Sequence, residues 1–145
     1  VADDKRAGSP REIEMTESLA RAEAALASSG DAVQSAVHRS IAFVTERYHE
    51  KFAASAVAEH CGLSRFQFSR NFHSTFGITF REYLLRFRIR EACRRLAAGE
   101  QSVTGIAYAV GFHDGSYFAR MFRRYVGVLP SQYAARRDHA TRSEA

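Results

Sequence analysis

Ala58-Glu59-His60-Cys61-Gly62-Leu63, then Phe68-Ser69-Arg70-Asn71-Phe72, is echoed later in the chain by Ala107-Tyr108-Ala109-Val110-Gly111-Phe112, then Phe118-Ala119-Arg120-Met121-Phe122. The first pair of segments is offset by 49 residues and the second by 50, because the later copy carries one extra residue after its glycine. Gly77 with Gly127, Ile78 with Val128 and Tyr83 with Tyr133 continue the match at the offset of 50. A small residue, a glycine, an arginine, paired phenylalanines and a closing glycine in the same order is a degenerate internal repeat rather than coincidence.

Each copy meets the physical requirements of a helix-turn-helix. Ala58 and Ala107 stand four residues before the turn, where a larger side chain would hold the two helices apart. Gly62 and Gly111 sit at the turn itself, where a positive φ is cheap for glycine. Leu63 and Phe112 then point inward, and Ser64 and Asp114 are N-cap residues for the second helix. Phe68, Phe72 and Phe76 form its apolar stripe in the first copy; Phe118, Phe122 and Val126 do so in the second. Gly77 and Gly127 are stops. Plain helical hairpins would explain the phenylalanines. They do not explain an opposite face carrying Arg65, Ser69, Arg70 and His73, then Ser116, Arg120, Arg123 and Arg124, which points to recognition of DNA.

Working outward, the spacing predicts helices over 54–61 and 65–76, a long one over 80–98 ended by Gly99, two more over 103–110 and 116–125, and a short one from Pro130. The long helix has Leu85, Ile89, Ala92, Cys93 and Leu96 as its inner face. Its roughly 19 residues would span about 28 Å at about 1.5 Å per residue, against the roughly 34 Å between successive major-groove faces of B-DNA. One chain could therefore seat both recognition helices in consecutive grooves, on a site that need not be palindromic. Upstream, a helix from Asp31 carries Val33, Val37, Ile41, Val44 and Tyr48 on one face. Ser9-Pro10-Arg11-Glu12 reads as a helix start with a capping box. Met15, Leu19, Ala22 and Leu26 follow at helical spacing until Ser28-Ser29-Gly30. So thin a stripe suggests a docking or dimerising helix, or a connection to an upstream domain. The expected fold is all-α: two helix-turn-helix subdomains joined by a long linker helix, preceded by an extra N-terminal helix. Residues 1–36 form an N-terminal tail and acidic helix. The DNA-binding domain covers 37–137, as a first motif (37–78), a linker helix (79–98) and a second motif (99–137). Residues 138–145 are a tail.

Charge agrees. From His38 to Arg137 there are 16 Lys/Arg against 7 Asp/Glu, between acidic ends, within a net charge of +5. A basic stretch of this kind attracts a polyanion, and its charge is almost all arginine, suited to bidentate contact with phosphate and guanine. No apolar run reaches membrane-spanning length and no secretory start is present, so a cytoplasmic location is expected, nucleoid-associated when bound. Cys61 and Cys93 make neither a disulfide framework nor a zinc cluster and read as small core residues. His38, His49, His60, His73 and His113 lack metal-ligand spacing, which suggests surface or capping roles. With no nucleophile–base pair, phosphate loop or metal cluster, no enzyme, metal or cofactor is expected. An all-α protein-interaction module using the basic face is the alternative.

The stretch from Ile106 to Tyr133, together with Arg88-Ile89-Arg90-Glu91-Ala92-Cys93-Arg94-Arg95-Leu96 and Gly62 to Phe72, resembles the DNA-binding domain of the AraC/XylS family of transcription regulators. The likeness runs from about Val37 to Arg137. It implies a homeodomain-like domain of about seven helices that binds a bipartite promoter site, most often to activate transcription, with RNA polymerase as a partner. An upstream sensor or receiver domain is also implied, and the thin N-terminal stripe leaves homodimerisation through that segment open. By the same resemblance, Arg65, Phe66, Gln67, Ser69 and Arg70 contact bases from the first copy, and His113, Ser116, Ala119 and Arg120 from the second. Arg70 and Arg120 fall on the family's recurrent recognition arginine, which can grip guanine through its two edge acceptors. His73, Arg81, Arg86, Arg123, Arg124 and Arg136 are candidates for phosphate contact, and Arg88 is expected to support the junction of linker and motif. The chain departs from the family at Phe80, where proline is common, at Gly105, where an acidic residue is usual, and at Ala134, where arginine is expected. Gly115 and Ala119 leave the second helix few polar base-reading groups, which favours contact through phosphates and shape.

Overall fold

The computed structural model describes residues 8–24, 32–100 and 102–136, with the side chains of 32–35 left aside. Their regular structure is all helical, without a strand among the described residues. In chain order the helices are α1 (Pro10–Ala24), α2 (Ala32–Arg47), α3 (Ala54–His60), α4 (Arg65–Phe76), α5 (Phe80–Ala97), α6 (Val103–Ala109), α7 (Gly115–Val126) and α8 (130–136). The chain divides into two compact units, Glu17–Phe87 in one, and Val1–Thr16 with Arg88–Ala145 in the other. The division falls inside α1 and inside α5 rather than at a loop. Leu26, the side chain of Val33, the stop at Ser28-Ser29-Gly30, Arg137 and the tail from 138 lie outside the described residues.

In the unit from Glu17 to Phe87, α2 packs on α3 and α4, and α3 on α4. Val37, Ile41 and Val44 of α2 are buried as their spacing requires, and Phe43 joins them. An aromatic cluster fills the centre: Phe72 meets Phe80 edge-on at 5.4 Å, and Phe68 meets Phe80 at 5.1 Å. This explains the departure at Phe80. Its ring completes the core, and the N-terminus of α5 is capped by Thr79 Oγ1, which accepts from the Glu82 amide at 3.1 Å.

His38 corrects an expectation. Instead of a surface or capping residue it is buried, its ring 5.5 Å from that of Phe76, and neither ring nitrogen has a hydrogen-bond partner. Burial holds its pKa below the ordinary imidazole value, because desolvation disfavours the charged ring.

In the other unit α6 packs on α7. Phe118 and Phe122 are 5.7 Å apart, and Phe122 meets Tyr133 of α8 edge-on at 5.6 Å. The start of α1 belongs here. Ser9 Oγ accepts from the Glu12 amide at 3.1 Å and donates to the Val126 carbonyl. The Glu12 carboxylate does not close the expected capping box; it accepts from the Tyr133 hydroxyl at 3.0 Å.

The N-terminal stripe is buried at its described positions. Met15, Leu19 and Ala22 are at most 2% exposed, all covered by the chain itself. Of the roles that the spacing left open, docking accounts for the burial of these three residues.

α5 also buries more than its expected stripe. Phe80, Tyr83 and Phe87 join Leu85, Ile89, Ala92, Cys93 and Leu96. The side chains of Arg86 and Arg90 on the same helix are only 16% and 13% exposed.

Candidate nucleic-acid interface

Both repeat copies fold into the same turn. In the first, Gly62 adopts φ 73°, and the Leu63 amide returns to the Ala58 carbonyl at 3.0 Å. In the second, Gly111 adopts φ 106°, and the Phe112 amide bonds the Ala107 carbonyl at 2.9 Å. These are left-handed conformations that a side chain would strain. Ala58 and Ala107 are buried at the crossing.

Each second helix is capped at both ends. Ser64 accepts from the Gln67 amide while the Gln67 side-chain carbonyl accepts from the Ser64 amide, both at 3.1 Å, a complete capping box. Asp114 Oδ1 accepts from the Ser116 amide at 2.9 Å. Gly77 and Gly127 close α4 and α7 in the left-handed conformation, their amides bonding to the His73 and Arg123 carbonyls.

The two faces of these helices then separate by chemistry. Phe68 and Phe72 are buried on α4, and Phe118, Phe122 and Val126 on α7; Phe76 is only half-buried. On α4 the candidates Arg65, Phe66, Gln67, Ser69, Arg70 and His73 are all exposed. On and beside α7, His113, Ser116, Arg120, Arg123 and Arg124 are exposed and Ala119 is half-buried. Arg81 and Arg136 are exposed, while Arg86 is half-buried and paired with Glu82 at 3.6 Å. Gln67 is exposed, but its carbonyl oxygen is engaged in the capping box, leaving the amide donors for other contacts.

Ion pairing sorts the arginines further. Arg47 pairs with Glu50 at 2.9 Å, Arg94 with Glu91 at 2.8 Å and Arg95 with Glu100 at 3.2 Å. Neither α4 nor α7 contains an acidic residue, and among the described residues no carboxylate pairs with Arg70, Arg120, Arg123 or Arg124. Their field is therefore left for an external anion. Three of them lie over rings of their own helix: the Arg70 guanidinium 5.1 Å from the Phe66 ring centroid, that of Arg120 5.7 Å from Tyr117 and that of Arg124 5.8 Å from Tyr125.

Burial lowers the pKa of Arg88, with the Tyr117 hydroxyl acting in the opposite sense. That placement beside a recognition-helix residue suits support rather than DNA contact. Cys61 and Cys93 are buried, and desolvation raises the Cys61 thiol pKa, so it is a poor nucleophile. The sequence reading did not single out exposed Tyr108 on α6 or the internal pairing of the α5 arginines.

A capped helix set across a glycine turn, apolar inward and unneutralised basic outward, defines a helix-turn-helix DNA-binding domain, and a helix-turn-helix domain family model matches residues 57–136. The chain belongs to the AraC/XylS family of transcription regulators, a family of DNA-binding proteins rather than enzymes. It is 34% identical over 95 residues to the MmsAB operon regulatory protein of Pseudomonas aeruginosa, covering 66% of this chain and 31% of that protein. It is 34% identical over 98 residues to the HTH-type transcriptional activator RhaS of Escherichia coli, covering 68% of this chain and 35% of RhaS. It thus spans about a third of the length of these curated relatives. The crystal structure of the DNA-binding domain of AdpA in complex with a target DNA matches with a TM-score of 0.66 at 30% identity, over 68% of this chain and 89% of that one.

Proposed function

We propose that this chain binds duplex DNA sequence-specifically and acts as a transcription activator at a bipartite promoter site, with α4 and α7 in adjacent major grooves. The observation that carries this reading is the exposed arginine face of each recognition helix, unmatched by any carboxylate among the described residues, opposite a buried aromatic stripe. The DNA-binding domain runs from 37 to 137, with 37–78 and 99–137 as its two motifs and 79–98 as the linker. The name of the relative RhaS supports the activator role.

In this reading Arg65, Phe66, Gln67, Ser69 and Arg70 face bases in one half-site, and His113, Ser116, Ala119 and Arg120 in the other. Because Gly115 and Ala119 offer no polar groups, the second half-site is read mostly through phosphates and DNA shape. His73, Arg81, Arg123, Arg124 and Arg136 hold phosphates, as does Arg86 if it leaves Glu82. RNA polymerase is the partner of an activator, and a sensor or receiver domain upstream would supply its signal. The protein acts in the cytoplasm, on the nucleoid when bound.

Selection of bound sequences from a random duplex pool tests the reading. On the selected site Arg70→Ala should cost about 1–3 kcal/mol and relax preference at a single base pair. Arg124→Ala should weaken selected and random DNA alike and lower the log–log salt slope by about one. Loss of the same size on both kinds of DNA for both variants would sink the assignment.

A further inference from the structure

Phe66, in the first turn of α4, is 71% exposed. A lone exposed aromatic needs no explanation; its partner gives this one meaning. The Arg70 guanidinium, one helical turn on, lies 5.1 Å from the ring centroid, within cation–π range. The second copy shows a contrast. Arg120 also sits over a ring, but Tyr117 is half-buried and leans on Phe112 at 5.9 Å. Only in the first copy is the stacked ring offered to solvent.

Resting on the reading of α4 as a base-contacting helix, we infer that Phe66 and Arg70 act together on a guanine whose neighbouring pyrimidine carries a C5 methyl group. In the major groove, guanine presents N7 and O6 to an arginine fork, and the adjacent thymine presents its C5 methyl to an apolar side chain. The ring–guanidinium separation of 5.1 Å is less than two base steps, about 6.8 Å at about 3.4 Å per nucleotide. Bases one step apart therefore lie within reach of the pair. A phenyl face senses only the methyl group, so 5-methylcytosine satisfies it as thymine does. The first half-site is thus sensitive to cytosine methylation, a property carried by the Phe66 side chain.

The test uses the full chain and its selected site, with the contacted guanine located by the base pair at which Arg70→Ala relaxes preference. At the neighbouring pyrimidine, thymine is compared with uracil, and 5-methylcytosine with cytosine, each opposite its normal complement. The wild-type chain should favour the methylated member of both pairs by about fourfold, the worth of one buried methyl group. In Phe66→Ala, whose exposed site leaves the fold intact, both ratios should fall to one. Equal binding within both pairs by the wild-type chain overturns the inference, as do unchanged ratios in Phe66→Ala. If instead Arg70→Ala relaxes no guanine preference, the failure lies in the assignment of α4 as a base reader.

Discussion

Glycines at the turns show how single residues decide whether the motif can form. At Gly62 a Cβ would meet nothing within 4 Å, so the strain of Gly62→Ala comes wholly from φ +73°. Gly62→Ala and Gly111→Ala should each lower unfolding free energy by about 1–2 kcal/mol, the cost of a left-handed L-residue. Gly115 offers the control: its φ is not positive and its Cβ would enter open space. Gly115→Ala should stabilise by up to about 1 kcal/mol, since alanine is the better helix former. Urea denaturation of the three variants checks the sign of each, and a stable Gly62→Ala would mean that the turn is not what holds α3 against α4. His38 makes a different prediction at this scale. Its folded pKa lies below the ordinary value of 6.5, so below that value the unfolded chain takes up a proton that the folded chain resists. Stability should therefore be constant above about pH 7.5 and fall as pH drops through 6.5 toward the depressed folded value. A His38→Leu variant should lack this component, which denaturation midpoints at neutral and mildly acidic pH would reveal.

At the scale of elements, the helix crossings depend on small side chains. Ala58 is 1% exposed and Ala107 not at all. Ala107→Leu should overfill the α6–α7 contact and cost about 1–3 kcal/mol, whereas enlarging the exposed Ala56 should cost little; thermal melts of the two would separate packing from helix propensity. The sequence made these elements legible because each motif helix shows one buried face, and because Ser64, Asp114, Gly77 and Gly127 mark its ends. It was less informative for α5. A helix buried around more of its circumference has no single stripe: Phe87 is buried, and the side chains of Arg86 and Arg90 are largely covered. Nor could it identify what covers α1. The spacing of Met15, Leu19 and Ala22 says that a face will be buried, but not against which surface. His38 stands at a position whose polarity suggested solvent, and only its neighbour Phe76 reveals otherwise. Among candidate site residues, the basic face was readable from helical periodicity. The commitment of Gln67 to its cap and of Arg86 to Glu82 was not, because both depend on rotamers.

For the molecule as a whole, charge is divided by function. Among the described residues, carboxylates pair with Arg47 of α2 and with Arg86, Arg90 and Arg94 of α5, and none pairs with the arginines of α4 and α7. No helix among the described residues is long and apolar enough to cross a membrane. The anchoring of α1 bears on how the protein can be cut down for study. A polypeptide begun at residue 37, where the motif resemblance starts, would lose Ser9 and Glu12. It would leave the Tyr133 hydroxyl and the Val126 carbonyl without these partners, and strip the cover supplied by Met15, Leu19 and Ala22. Sticky, poorly soluble fragments are the expected yield of such trimming, and a minimal piece that behaves well in the test tube has to start ahead of Ser9.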